Sequence, residues 1–336
     1  MMKYKKYWFM GIALFILPYI MVLIFADNYT VIETDKEREL FKMQEKLTQS
    51  TNYYVARELD CGMQFIPMEE YLIGLTAANI PLNYEDETIK AQIVALRTLI
   101  LFHSDEKGNN KINKTEYIFA RESELELAYY TDAKLRILWD TLYTENYYRL
   151  CSLVLSVKGI YMTYNDEPIE APFFYLSAGM TRNVYEIMES EYPYLQVVEC
   201  PHDIFNDDFV KTIHIKEKNF KEDLIEAYPE YTAEIRNVDF LKSNVEIEKK
   251  DESGYVLWVK VNGIYIPGEA FRVALNLPSS SFSMEIFEDS VAFVCNGNGL
   301  GIGMSQNEAN EMAKEMSDFK EILSYFYKNC QLKKIE

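Results

Sequence analysis

Apolar positions recur at helical spacing in two adjacent stretches near residue 80. Tyr71, Leu75 and Ala78 fall at i, i+4 and i+7, which puts them on one face of a short helix. Pro81 stops that helix, because proline cannot continue the hydrogen-bond ladder. Asn79 is thereby placed at a helix C-terminus, beside a turn. The next stretch predicts a helix from Glu87 to Phe102, in which Ala91 and Ala95 allow close packing and Arg97 is the one charge of an apolar second half. A charge in such surroundings needs a partner.

The rest of the pattern mixes both periods. Tyr53–Arg57 and Met63–Ile66 read as strands around a Cys61-Gly62 turn, and Ala133–Tyr148 reads as a helix. Leu153–Val157 and Ile160–Tyr164 read as two strands around Lys158-Gly159, and Phe173–Leu176 as a strand running into Ser177-Ala-Gly-Met-Thr181. Val245–Lys249 and Val256–Val261 are strand-like, and Asn262-Gly263 is a hairpin signal before Ile264. A strand over Val291–Cys295 leads into a glycine-rich turn and then a helix from Gln306 to Met316, with Ser305 and Glu308 able to cap it. Asp318 and Glu321 open a final helix reaching about Tyr327.

At the N-terminus, Lys3, Lys5 and Lys6 precede an uncharged apolar run from Tyr7 to Ala26, about the ~20 residues that cross a bilayer. The basic flank predicts residues 1–6 in the cytoplasm, an uncleaved anchor over 7–26, and the remainder on the extracytoplasmic side of the cell membrane. Residues 27–58 read as stalk and linker, with Thr34 to Glu37 as a capping box. Two lobes follow, over 59–202 and 203–336.

Composition narrows the functions. The 336 residues carry 34 Lys and Arg against 53 Asp and Glu, a net charge of −19; this argues against nucleic acid, whose binding requires phosphates to be neutralised. The 26 Tyr and 19 Phe serve core packing first and sugar stacking second. Cys61, Cys151, Cys200, Cys295 and Cys330 form no C-x-x-C, so neither a zinc knuckle nor a redox pair is predicted. Buried free thiols fit, and one disulfide stays open. The turn Gly297-Asn-Gly-Leu-Gly-Ile-Gly303 is not a dinucleotide fingerprint: Ile302 or Met304 stands where the third glycine belongs, and no Walker lysine follows. His103, His202 and His214 are the only histidines. Cys200-Pro-His202 lacks two further ligands nearby, so neither metal nor cofactor is expected.

Several blocks carry a resemblance. Met68-Glu-Glu-Tyr-Leu-Ile-Gly-Leu-Thr-Ala-Ala-Asn-Ile-Pro81 and Ile89-Lys-Ala-Gln-Ile-Val-Ala-Leu-Arg-Thr98 resemble the opening signature of the stage II sporulation protein D (SpoIID/LytB) family. Ser177–Thr181 is similar to the family's SGG-T turn, Tyr192–Pro201 to its YPYL…V-S-P segment, and Gly268–Phe282 to its late helix and LPS-F turn. The run Gly297-Asn-Gly-Leu-Gly-Ile-Gly-Met-Ser-Gln-Asn-Glu-Ala-Asn-Glu-Met-Ala313 resembles G-G-GHGVGMSQ-GA--MA. The resemblance extends from about Met63 to Lys333. It implies an α+β fold: a two-lobed ectodomain with a central groove, preceded by one transmembrane helix. It also implies lytic transglycosylase chemistry on peptidoglycan, and partners in stage II sporulation protein P and the engulfment complex.

Two positions depart from the family. Asn79 stands where the family has its catalytic glutamate, and Leu300 where it has histidine. Some members carry a Cys/His zinc site after the second helix, whereas residues 104–150 hold neither Cys nor His. Glycan cleavage needs an acid that protonates the leaving oxygen. In a lytic transglycosylase the muramic acid's own 6-hydroxyl then closes an anhydro ring, so one carboxyl suffices. A helix C-terminus would raise that carboxyl's pKa; asparagine has no proton to give. The resemblance places glycan-binding groups at Arg97, Ser177, Thr181, Gly299, Gly301, Ser305 and Gln306. Glu70 is the alternative acid, with Glu69, Glu85 and Glu189 as further carboxylates that read more simply as caps or solvated groups. The expectation is a wall-engaging protein with weakened or lost transglycosylase activity. Its competitors are an active enzyme using Glu70 and an anchored scaffold that makes no glycan contact.

Overall fold

A computed structural model describes residues 38–49, 52–104, 111–112, 115–116, 118–188, 192–240 and 244–335. The apolar run over 7–26, the Thr34–Glu37 box and Glu189 lie outside the described residues. Among the described residues no helix is long and apolar enough to cross a membrane. The fold is α+β, built on two apolar cores.

The first core is organised by the two helices of the 80s region. Met68–Asn79 and Asp86–Phe102 are separated by the turn at Pro81, and both bury most of their length. Ala91 and Ala95 are fully buried where neighbours approach. Gly74 serves a similar end: a Cβ there would sit 2.1 Å from the Tyr130 carbonyl oxygen. That space lets the segment around Tyr130 lie directly on the helix, with the Tyr130 N–H donating to Gly74 O and the Tyr129 ring stacked on Tyr71 at 4.3 Å. Beside the pair, strand Tyr53–Leu59 lies between antiparallel Gly62–Pro67 and parallel Ile118–Arg121.

One stretch differs from its sequence pattern. Leu153–Val157 is not a strand; it ends the helix Tyr143–Ser156, whose buried stripe is Tyr143, Tyr147, Leu150, Cys151, Leu153 and Val154. A short apolar run cannot by itself distinguish a buried helix turn from a strand. The predicted Ala133–Tyr148 helix is broken in two, at Asp132–Trp139 and Tyr143–Ser156, by a 3-10 turn over Asp140–Leu142. The segment read as a stalk is helical over 38–48 and docks on the first core through Leu47, which is 1% exposed.

The second core stacks two three-stranded sheets: Val210–Lys216, Phe282–Ile286 and Ser290–Asn296 in one, Val245–Lys250, Val256–Val261 and Ile264–Pro267 in the other. Phe220, Phe271, Phe282 and Phe293 interlock inside it. Asn262 and Gly263 turn the predicted hairpin with φ of 44° and 92°, the positive pair that a type I′ turn requires. The chain then leaves this core. Met304–Ser305 pairs in parallel with Phe173–Phe174, and Gln331–Lys334 pairs antiparallel with Ile160–Tyr164. Ile322, Leu323, Phe326 and Tyr327 are buried in the first core. The C-terminal helices therefore belong to the lobe that begins the domain, because the apolar face they must cover lies there.

Candidate functional site

Asn79 ends its helix, as the Pro81 stop requires, and is half-buried. Its side-chain amide donates to Leu75 O at 2.7 Å and to Ala128 O at 2.8 Å. Both N–H groups are thus spent tying the helix end to the segment that Gly74 admits. The backbone carbonyl of Asn79 accepts from Gln306 Nε2 at 2.6 Å, and the same nitrogen donates to Gln92 Oε1 at 3.0 Å. The start of the Gln306–Lys314 helix is so fixed against the end of Met68–Asn79. The Gln92 amide nitrogen and the Thr76 hydroxyl lie buried under this junction with no hydrogen-bond partner among the described residues, a cost of about 1–3 kcal/mol each.

Next to Gln306 stands a second hub, which the sequence pattern does not mark. Asp203 is fully buried. It accepts from the Ser177 N–H at 2.8 Å, the Ser305 hydroxyl at 2.7 Å and Asn307 Nδ2 at 2.9 Å. Burial pushes its pKa up, and the three donors pull it the other way without cancelling that effect. Asp203 therefore joins the Ser177–Thr181 turn to the helix that Ser305 caps. Thr181 closes the same turn, its hydroxyl accepting from the Val198 N–H at 2.9 Å.

Of the expected glycan-binding positions, Ser177, Thr181, Gly301, Ser305 and Gln306 are all buried, and Gly299 is half-buried. They shape the backbone beneath the surface. The glycine turn follows the same logic: a Cβ at Gly301, whose φ is 81°, would lie 2.6 Å from the Tyr255 ring. Beside the Asp203 hub stand two half-buried groups: Tyr175, whose hydroxyl reaches Asp208 at 3.2 Å, and Asn206, which donates to Asn307 Oδ1 at 2.7 Å. Tyr84 lies close enough for Tyr175, Asp203 and Asp208 to bear on its hydroxyl, although burial is what chiefly raises its pKa.

Arg97 is not a groove residue. It is 0% exposed and paired with Glu69, at 2.9 Å from Nε to Oε1 and 2.6 Å from Nη2 to Oε2. Its Nη1 donates to Ile160 O, while Glu69 also accepts from the Gly159 N–H. The partner that the sequence demanded sits on the preceding helix. Glu69 is consequently excluded as a free acid. Glu70 is exposed near the start of the same helix, with desolvation raising its pKa. Nine residues of helix separate it from position 79, which is about 13 Å along the axis and half a turn out of phase. Glu70 and Asn79 do not share a site. Glu85 offers its N–H to Asn310 Oδ1 at 2.8 Å.

Two further clusters escaped the sequence reading. Arg182, 2% exposed, donates from its backbone N–H to Gly301 O and from Nη1 to Ser280 Oγ. Its guanidinium lies 3.4 Å from Glu269 and 5.0 Å from the Tyr255 ring centroid, so it binds the two cores together. His202 Nδ1 lies 2.8 Å from the buried carboxylate of Glu308, and Nε2 lies 3.4 Å from Glu315. A lone histidine in a polar segment gives no periodic signal of either contact.

The hydrogen bond to Glu308 raises the His202 pKa, and burial also raises that of Glu308. A histidine raised in the folded state stabilises fully below its ordinary value of about 6.5, and that stability is lost as pH rises through the raised folded value. The raised Glu308 contributes with the same sign. Thermal melts should therefore fall as pH climbs from about 6 to about 8, and His202→Gln should flatten that slope. Parallel slopes for the two proteins would contradict the linkage.

The five cysteines are free thiols, with Cys151, Cys200 and Cys295 buried. Among the described residues no three His, Cys, Asp or Glu side chains gather as a metal site.

A family model described as stage II sporulation protein matches residues 62–164, the segment that holds both organising helices. Stage II sporulation protein D of Bacillus subtilis (strain 168) is 29% identical over 278 residues, 83% of this chain and 78% of that protein. The protein of the same name from Bacillus amyloliquefaciens is 26% identical over 278 residues, 83% of this chain and 77% of that one. An uncharacterized protein of Brachyspira hyodysenteriae (strain ATCC 49526 / WA1) is 24% identical over 268 residues. The chain thus carries a stage II sporulation protein domain over residues 62–164 and is similar over most of its length to stage II sporulation protein D of two Bacillus species.

Proposed function

We propose that this protein is a membrane-anchored member of the stage II sporulation protein D family that engages peptidoglycan glycan strands with weakened or lost lytic transglycosylase activity. The observation that carries the reading is the Asn79 amide. It occupies the position of the family's acid, and both of its N–H groups are held by the Leu75 and Ala128 carbonyls. An amide so held orders the helix end but cannot protonate a leaving oxygen. General acid catalysis contributes about 10²–10⁴-fold, so turnover falls by that order when the acid is absent. The alternative, an active enzyme using Glu70, loses support because Glu70 sits at the far end and opposite face of the helix. Stage II sporulation protein P and the engulfment machinery remain the partners that family membership suggests.

The partly exposed groups beside the Asp203 hub suit hydrogen bonding and stacking against a saccharide. Tyr175 offers a ring and a hydroxyl, with the Asn206 amide and the Asp208 carboxylate beside it. Co-sedimentation with purified strands stripped of peptide tests this. Wild-type protein should pellet with the strands, and Tyr175→Ala should bind roughly tenfold more weakly, the loss of one aromatic contact of ~1–1.5 kcal/mol. A wild-type protein that stays in the supernatant would favour the scaffold that makes no glycan contact.

A further inference from the structure

An apolar ridge at one end of the first lobe has no role in the site described above. Ile137 is 76% exposed, Leu138 49% and Leu142 56%, all within the end of helix Asp132–Trp139 and the turn that follows. Phe41, on the helix over 38–48, is 69% exposed. Large apolar side chains this exposed and this close in sequence mark an interaction surface more often than chance scatter.

The position of the N-terminal helix says what covers them. Glu39 hydrogen-bonds Tyr148, and Gln44 bonds Tyr147, while Lys158 Nζ donates to Lys46 O. The helix over 38–48 therefore lies across the Tyr147–Tyr148 turn of Tyr143–Ser156, with its start beside Tyr148. Tyr148 is under two turns from Leu142. The chain preceding residue 38 thus approaches the domain at the end that carries the ridge. Residues 27–37 separate that point from the apolar run ending at Ala26; at ~3.3–3.6 Å per residue they reach at most about 40 Å. An anchor at 7–26 would keep this end of the domain within about 40 Å of the bilayer.

We infer that Ile137, Leu138, Leu142 and Phe41 insert into the bilayer interface and fix the orientation of the domain on the membrane. The inference rests on the membrane-anchor part of the reading above. Charges around the ridge are mixed: Lys134 and Arg136 stand among Asp132, Asp140 and Glu145, and Arg136 is already paired with Asp132 at 2.8 Å. Partition of apolar side chains at the headgroup boundary, not attraction to anionic lipid, drives the contact. Neutral phosphatidylcholine is therefore a sufficient surface.

The test uses the full chain reconstituted in phosphatidylcholine vesicles carrying brominated acyl chains, which quench nearby indoles. The reporter is Leu138→Trp in a chain whose Trp8, Trp139 and Trp258 are replaced by Phe. Flotation reads the anchor, and quenching reads the ridge. The expected result is co-flotation with strong loss of reporter emission. Adding Ile137→Asp and Leu142→Asp should restore most of the emission while flotation persists. A second protein that keeps only native Trp258, on the other lobe, should stay unquenched. A chain that floats with an unquenched reporter overturns the ridge inference and leaves the anchor standing. A chain that does not float overturns both. Circular dichroism melts confirm that each variant is folded, and quenching that survives the two Asp substitutions in a folded protein also overturns the proposal.

Discussion

Arg97→Met should lower stability by about 3–5 kcal/mol, the range seen when one member of a buried ion pair is removed. Arg97 and Glu69 are 0% and 3% exposed and share two hydrogen bonds. Methionine fills much of the volume, so the loss measures the stranded Glu69 carboxylate and the orphaned Ile160 carbonyl more than a cavity. For a chain of this size the melting temperature should drop on the order of 10 °C. The double variant with Glu69→Leu should recover part of it, since no charge is left behind while the Gly159 N–H and the Ile160 carbonyl stay unpaired. Urea unfolding of the three proteins decides the matter. An Arg97→Met protein with unchanged stability and lost glycan binding would return Arg97 to the groove.

Asp203→Ala should cost a comparable amount, about 3 kcal/mol or more. Hydrogen bonds to a charged group contribute about 1.5–3 kcal/mol each, and the three at Asp203 are not additive because they share one carboxylate. Removing it strands the Ser177 N–H, the Ser305 hydroxyl and the Asn307 amide, all buried. Hydrogen exchange reads the local effect: protection of the Ser177 N–H should collapse further than that of the Tyr255 N–H, which is held by Asp251 on the other core. Asp203→Asn, which keeps one acceptor oxygen, should be milder. Equal, small losses for both variants would mean that the hub does not hold the two turns together.

How far the sequence reaches depends on how local each cause is. The helix pair, the Pro81 stop that places Asn79 at a helix end, the Asn262-Gly263 hairpin and the Ser305 and Asp318 caps each depend on a few neighbouring residues. All are readable from spacing and side-chain type. Arg97 shows the limit: its need for a partner is local, but Glu69 lies 28 residues away on another helix. The same limit hides Asp203, which contacts Ser305 across 102 residues, and the return of the last helices to the first core. Leu153–Val157 failed for another reason, since a short apolar run satisfies both periods until its neighbours fix the length of the helix. Four glycines within Gly297–Gly303 mark a place where other groups can come close to the backbone. What approaches it, the Tyr255 ring at Gly301 and Phe174 at Gly299, is set by tertiary packing alone.

The central claim is that position 79 has exchanged proton donation for anchoring. Asn79→Glu would return a carboxyl to a helix C-terminus, where the dipole disfavours the anion and raises its pKa. It would also remove the two N–H bonds to Leu75 and Ala128, at about 1 kcal/mol each, so the variant should be less stable, and any regained activity partial. The decisive measurement is release of anhydro-muropeptides from denuded glycan strands by the wild-type protein, run beside Asn79→Glu. Wild type should bind strands and release little or no anhydro product, while Asn79→Glu releases a measurable amount. Appreciable cleavage by the wild-type chain would contradict the account.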